Sequence, residues 1–219
     1  QQSQGLAYSN DRGRTWQKYK YNPVLTSGGK KDFRDPKVCW YSPDACWIMV
    51  LACFDHAEFY RSENLTEWTY AGQFGTGEGA EQGIWECPDL FMLEDKDTGE
   101  MHWVLTVSVN DGAPAGGTGM QYFVGGFDGF CFYNANSPDT VLWVDYGKDF
   151  YAGVTWNDIP DGDGRRLMIA WADNWLYRDL LPTELFKGQF STVRELSLKR
   201  GLEGLRLVQS PAGELSGIY

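Results

Sequence analysis

Three segments of the chain repeat one hydrophobic pattern: an apolar strand, a polar turn rich in Asp, Pro or Gly, then a second strand dense in branched and aromatic residues. They read PKVCWYSPDACWIMVLACF, PDLFMLEDKDTGEMHWVLTVSV and FYAGVTWNDIPDGDGRRLMIAWADNW. The second strands begin near Cys46, His102 and Arg166. Intervals of roughly 60 residues, all strand and turn, predict the blades of a β-propeller. Between these hairpins lie AEFYRSENLTEW and MQYFVGGFDGFCFYN, which supply an outer strand pair and bring each blade to about four strands. The short stretch Pro182–Leu185 is the best helix candidate, and it reads as a loop turn. The chain is therefore expected to be all-β.

The expected organisation is an incomplete propeller of about three blades plus an outer hairpin. Residues 1–25 form the outer hairpin of an incomplete blade, residues 32–80, 84–140 and 145–200 form blades, and residues 201–219 lead into a β-sandwich that is not present. In the first hairpin, YSNDRGRTW has the form Ser-x-Asp-x-Gly-x-Thr-Trp of an Asp-box turn. There Ser9 and Asp11 should bond backbone groups, Gly13 should take an unusual dihedral and Trp16 should pack beneath. Two strand-like segments near the C-terminus are split by a turn at Gly201–Gly204.

Composition narrows the function. Thirty acidic against 19 basic residues give a net charge of −11, which repels a polyanion and offers no basic stripe for counterion release. Nucleic acid is not an expected partner. No apolar run approaches the roughly 20 residues that span a bilayer, so no membrane partner is expected either. Aromatic residues make up 16% of the chain, and indole faces suit the apolar faces of sugars. Five cysteines without a Cys-x-x-Cys pair, beside two histidines, point to no metal and no cofactor. Free thiols are expected, with Cys39–Cys46 the one pairing worth testing. Asn64-Leu65-Thr66 is a glycosylation sequon, usable only on secretion from a eukaryotic cell.

Each predicted inner strand opens on an acidic motif: FRDP (33–36), WECPD (85–89) and DFYA (149–152). Equivalent strand starts in successive blades converge on the propeller axis, so Asp35, Glu86 and Asp149 should share one pocket. Glu86 lies between Trp85 and Cys87 and before Pro88. Poor solvation there favours its protonated form and fits it to act as a general acid; the plainer alternative is a strand-edge glutamate facing water. Trp85, Trp156, Trp171 and Trp175 lie near these motifs, where an indole can stack on a sugar face, and Trp171 reads as core. Cys87 has no histidine near it in sequence and reads as a small buried thiol rather than a nucleophile.

Arg-Asp-Pro and Glu-Cys-Pro, followed by DFYAGVTW, AWADNW and KGQFSTVRELSL, resemble the β-fructosidases of glycoside hydrolase family 32, which include invertases, levanases and exo-inulinases. The resemblance spans essentially the whole chain. It implies a five-bladed propeller that hydrolyses terminal β-linked fructose of fructans or sucrose with retention, in a secreted protein. By that likeness Glu86 is the acid/base and Asp35 stabilises the transition state. Arg34 orients the carboxylates, and Asp149, Asn174, Trp85 and Trp175 contact sugar. The family's nucleophile lies in an Asn-Asp-Pro-Asn-Gly motif that this sequence lacks; the nearest match, WNDIPDG at 156–162, falls where a hairpin turn is expected, so Asp158 is assigned to the turn. A partial propeller should also expose sheet edges and self-associate. Two other functions remain open: an inactive carbohydrate-binding propeller, and a five-bladed glycosidase of arabinan type.

Overall fold

The computed structural model describes residues 2–160 and 162–217. Gln1 of the expected first hairpin, Asp161 of the expected third blade, and Ile218 and Tyr219 of the expected lead-in lie outside the described residues.

Two short ribbons come first. Strand β1 (Ser3–Gln4) pairs with β4 (Leu25–Thr26) and encloses β2 (Ala7–Tyr8) paired with β3 (Gln17–Lys18). The β2–β3 turn is the Asp-box. Asp11 Oδ1 accepts from the N–H groups of Arg14 and Thr15 at 3.0 and 2.9 Å, Ser9 Oγ accepts from Gly13 N–H at 2.8 Å, and Gly13 takes φ 81. Trp16 packs against the turn as expected. Its Nε1–H donates to Gly13 O at 3.0 Å, and at 64% exposure its other face is left to solvent.

Three sheets of four antiparallel strands follow. The first runs β5 (Phe33–Tyr41), β6 (Cys46–Cys53), β7 (His56–Ser62), β8 (Thr69–Phe74). The second runs β9 (Trp85–Glu94), β10 (Met101–Val109), β11 (Gly119–Phe127), β12 (Phe132–Asn134). The third runs β13 (Tyr151–Thr155), β14 (Arg166–Trp171), β15 (Arg194–Gly201), β16 (Gly204–Pro211). Each is a meander whose first strand bears one acidic or aromatic motif. The β15–β16 pairing runs from Arg194↔Pro211 to Gly201↔Gly204. The expected boundary at residue 200 therefore cuts a hairpin, and residues 204–211 are sheet strand rather than lead-in. Pairing eight successive residues satisfies the backbone groups of β16 that face β15, which a linker would leave to water.

The β7–β8 turn repeats the Asp-box with one residue fewer. Ser62 Oγ accepts from Leu65 N–H at 2.8 Å, Asn64 Oδ1 accepts from Thr66 and Glu67 N–H at 3.0 Å, and Trp68 Nε1–H donates to Leu65 O at 3.0 Å. Leu65, at φ 66, stands where Gly13 stands. An outer strand pair of a full sheet and the N-terminal ribbon are thus closed by the same device.

Face-to-face packing joins the sheets. Val50, Phe59, Leu90, Leu105 and Phe123 fill the space between the first and second. Phe91, Val104, Met120, Met168 and Leu198 fill that between the second and third. All five cysteines are free, and Cys39 stands opposite Ile48 while Cys46 stands opposite Tyr41, so the hairpin does not bring Cys39 and Cys46 together.

Candidate active site

The three innermost strands share one irregularity. Arg34↔Ala52 is followed by Lys37↔Val50, Glu86↔Ser108 by Asp89↔Thr106, and Tyr151↔Trp171 by Val154↔Ile169. In each case three steps on the inner strand span two on its neighbour, which is a β-bulge. The bulged residues are Asp35, Cys87 and Ala152, with φ of 58, 47 and 52. A left-handed backbone at a residue other than glycine costs about 1–3 kcal/mol and persists only where the surroundings enforce it.

The bulge has a definite result. Successive side chains of a regular strand point to opposite faces, yet here two consecutive residues of each strand face one cavity of about 460 Å3. Arg34 and Asp35, Glu86 and Cys87, Tyr151 and Ala152 line it together with Trp171, Trp175, Arg178 and Lys187. The three residues preceding the bulges meet. Arg34 Nη2–H donates to Glu86 Oε1 at 3.0 Å, and the Tyr151 hydroxyl donates to Glu86 Oε2. Arg34 also pairs with Asp32, and its Nε lies 3.8 Å from Asp35 Oδ2. The amide of Cys87 donates to Asp35 Oδ2 at 3.0 Å, which fixes the carboxylate against the neighbouring blade.

Electrostatics fix the roles these groups can take. Burial works against the Arg34 charge, but hydrogen bonds to Asp32 and Glu86 outweigh it and hold the guanidinium charged. Burial and the bond to Glu86 push the Tyr151 hydroxyl far above the ordinary phenol range, so it remains a donor. Burial, then Asp35, pushes the Cys87 thiol up to about 12, which keeps it protonated and unfit as a nucleophile.

One residue layer further in, a second set ties the same strands together. Lys37 Nζ donates to Asp89 Oδ2 at 3.1 Å and to Thr155 O, and Thr155 N–H donates to Asp89 Oδ2 at 2.7 Å. Asp89 is fully buried.

The remaining site expectations divide. Trp175 lines the cavity, 53% exposed, with Arg178 stacked 4.6 Å from its ring centroid. Trp171 is corrected from core to lining: it stands opposite Tyr151 and 5.4 Å from Trp175, centroid to centroid. Trp85 is corrected from sugar contact to core. Strand alternation turns it away from Glu86, and its indole, 2% exposed, lies on Gly75 and Phe123. Glu86 therefore lacks the indole neighbour expected from sequence. Asn174 is fully buried; its Nδ2 donates to Gly116 O and Lys148 O at 3.1 and 2.9 Å, and its Oδ1 accepts from Leu176 N–H at 2.9 Å. It pins loops and does not face the cavity. Asp149 is not among the lining residues. It is exposed, bonded by the Tyr177 hydroxyl, and held above the ordinary carboxylate range by burial and then by Asp173. Trp156 and Asp158 line a different, apolar groove, and Asp158 sits in the β13–β14 turn at φ 53. Sequence reasoning missed Tyr151, Arg178 and Lys187. Superposing the repeats on their bulges would have found Tyr151, since it occupies the position of Arg34 and Glu86.

Known proteins resemble the chain over nearly its whole length. The chain is 54% identical over 218 residues to a levanase of Bacillus subtilis (strain 168), covering 99% of this chain and 32% of that protein. It is 40% identical over 199 residues to an extracellular exo-inulinase of Meyerozyma guilliermondii, covering 90% and 38% respectively. The crystal structure of exo-inulinase from Aspergillus awamori superposes with a TM-score of 0.91 at 34% identity, over 99% of this chain and 44% of that one. The chain thus spans about a third of the length of the levanase and less than half of the other two. The family model for the glycosyl hydrolases family 32 N-terminal domain matches residues 1–211, and with that match the chain belongs to glycosyl hydrolase family 32.

Proposed function

We propose that the protein releases terminal β-linked fructose from fructans such as levan and inulin, or from sucrose, by a retaining mechanism. The observation that carries this reading is Glu86, bonded by Arg34 and Tyr151, in one cavity with Asp35 and the indoles of Trp171 and Trp175. Glu86 acts as the acid/base. In the first half-reaction it gives its proton to the glycosidic oxygen of the leaving sugar, and Arg34 and Tyr151 take up the charge left on its oxygens. A second carboxylate attacks the anomeric carbon; retaining enzymes place it about 5–5.5 Å from the acid. Among the described residues only Glu86 and Asp35 line the cavity with carboxylates, and neither takes that role. In the second half-reaction Glu86 takes a proton from water, which attacks the fructosyl–enzyme bond. Asp35 accepts hydrogen bonds from fructosyl hydroxyls as positive charge develops on the sugar ring. Trp171 and Trp175 stack on sugar faces.

The same reading covers architecture and setting. The three sheets are three blades of a five-bladed propeller, and the Asp-box ribbon is the outer pair of a further blade. The remaining blades cover the apolar groove lined by Trp156, Ile159, Leu167, Val193 and Leu215 on the third sheet. Left uncovered, such a flank drives the chain to self-associate. The protein acts outside the cell, as the named exo-inulinase does.

The test is Glu86→Gln in the whole protein. Activity on sucrose and inulin should fall by about a thousandfold or more, while an activated fructoside, whose leaving group needs no proton, is spared much of the loss. Equal losses on both remove Glu86 from the acid role. The 219-residue chain alone should turn over sucrose about a thousandfold more slowly than the whole protein.

A further inference from the structure

Cys53 ends β6 and His56 opens β7, and the two stand opposite each other across the tight turn Phe54-Asp55. Glu58, two residues along β7, projects on the same face as His56. One donor atom from each of Cys53, His56 and Glu58 lies within 4.8 Å of the others. Cys53 and Glu58 are 5% and 3% exposed, so the cluster is enclosed and is no solvated acidic patch. His56 Nδ1 lies 2.8 Å from Asp55 Oδ1, and its Nε2 lies 3.6 Å from Glu58 Oε1. An imidazole that donates Nδ1–H to a carboxylate keeps the Nε2 lone pair for an ion, which is the second-shell pattern of metal-bound histidine.

We propose that Cys53 Sγ, His56 Nε2 and Glu58 Oε1 form a binding site for a divalent transition cation of the zinc class. Thiolate, imidazole and carboxylate together suit zinc, whereas calcium and magnesium require oxygen donors. A tetrahedral ion draws its ligand atoms to roughly 3.5 Å apart, close to the spacing His56 and Glu58 already have, so Cys53 needs the larger adjustment. Three protein ligands leave a fourth position for water. Binding releases the thiol proton of Cys53 to solvent. Glu58 Oε2 stays with Tyr60, whose hydroxyl donates to it at 2.6 Å. Lys30 is the competitor, since its Nζ donates to both Glu58 oxygens at 2.8 and 2.7 Å.

The site lies outside the sugar cavity but adjoins its scaffold. Cys53 pairs with Phe33 and Ala52 with Arg34, and Phe54 O accepts Trp85 N–H at 2.7 Å. An ion there clamps the β6–β7 turn, which is hydrogen-bonded to the strands bearing Asp35 and Glu86. The Cys-x2-His-x-Glu spacing was open to view in the sequence, but a search for paired cysteines passes over it.

Cobalt(II) added to chelator-treated protein is the probe. One equivalent should bind with a thiolate-to-cobalt charge-transfer band in the near ultraviolet, and zinc should displace it. Cys53→Ser should abolish the band, and His56→Ala should weaken binding by about tenfold or more. Cys46→Ser, a thiol on the far end of β6, should leave the band intact, and Lys30→Gln should tighten binding. Circular dichroism checks each fold; if Cys53→Ser does not fold, the His56→Ala titration decides alone. Absence of the band in the unaltered protein, its survival in Cys53→Ser, or cobalt affinity unchanged in His56→Ala overturns the site.

Discussion

Replacing Lys37 by methionine should loosen the innermost strands of the three sheets more than any substitution at the surface. Methionine keeps the length and apolar stem of lysine but removes the charge that faces Asp89. The Lys37 side chain is 15% exposed and Asp89 is fully buried. Without Lys37 the carboxylate retains only the Thr155 N–H, 2.7 Å from Oδ2, while Oδ1 already lacks a hydrogen-bond partner. Removing one partner of a buried pair costs about 3–5 kcal/mol, because the other charge stays buried and unpaired. For a chain of this size that lowers the unfolding midpoint by roughly 10 °C. Urea unfolding followed by tryptophan fluorescence measures the loss. Asp89→Asn provides the internal control: Lys37 keeps its bond to Thr155 O, so the cost should be nearer 1–3 kcal/mol. A Lys37→Met protein within about 0.5 kcal/mol of the original, with the same denaturant slope, refutes the reasoning. It would mean that the ion pair is not what fixes the three strands to one another.

Tyr151→Phe removes one of two donors to Glu86 and should lower kcat on sucrose by about tenfold to a hundredfold, as loss of a hydrogen bond to a charged group does; an unchanged kcat denies Tyr151 a place in the mechanism. Gly188, at φ 78, sits where a Cβ would overlap Trp171 Nε1 and lie 3.1 Å from Asp173 Oδ2. Gly188→Ala should therefore displace Trp171 and raise KM for fructan, and a normal KM would show that this loop does not shape the cavity. Backbone and side-chain bonds from Thr15 hold the Asp11 carboxyl down at about 2, against 3.8 in the ordinary case. A lowered folded-state value means the stabilisation is present above about pH 4 and is lost as pH falls toward 2. Hydrogen exchange at the Thr15 amide should accelerate across that window relative to unconnected amides, and a flat profile would remove Asp11 from the turn's stability.

The elements were legible because each blade writes its inner strand twice, as an apolar run and as a motif with a proline or glycine after the bulge. Arg34, Asp35 and Glu86 were legible for the same reason. Asp149 was misplaced by three positions: it matches Asp32, while the place of Asp35 in the third sheet is held by Ala152. Trp85 was misjudged because sequence adjacency to Glu86 is the opposite of spatial adjacency on a strand. The allegiance of residues 204–211 depends on pairing with β15, and Asn174 depends on carbonyls of Gly116 and Lys148 that are remote in the chain. No local pattern encodes such partners.

The three bulges carry Asp35, Cys87 and Ala152 in equivalent left-handed positions, all facing the cavity. The backbone thus offers three sockets that aim side chains at one centre, and one of them holds nothing larger than a methyl group. Chemistry in such a molecule is addressed by socket and not by fold, so new groups can be installed without rebuilding a loop. Ala152 is the vacant address. Asparagine or aspartate tolerates left-handed φ better than most residues, and Ala152→Asn would set an amide beside Tyr151 at the cost of filling cavity space. A designed change in what the cavity accepts has a direct route through that position.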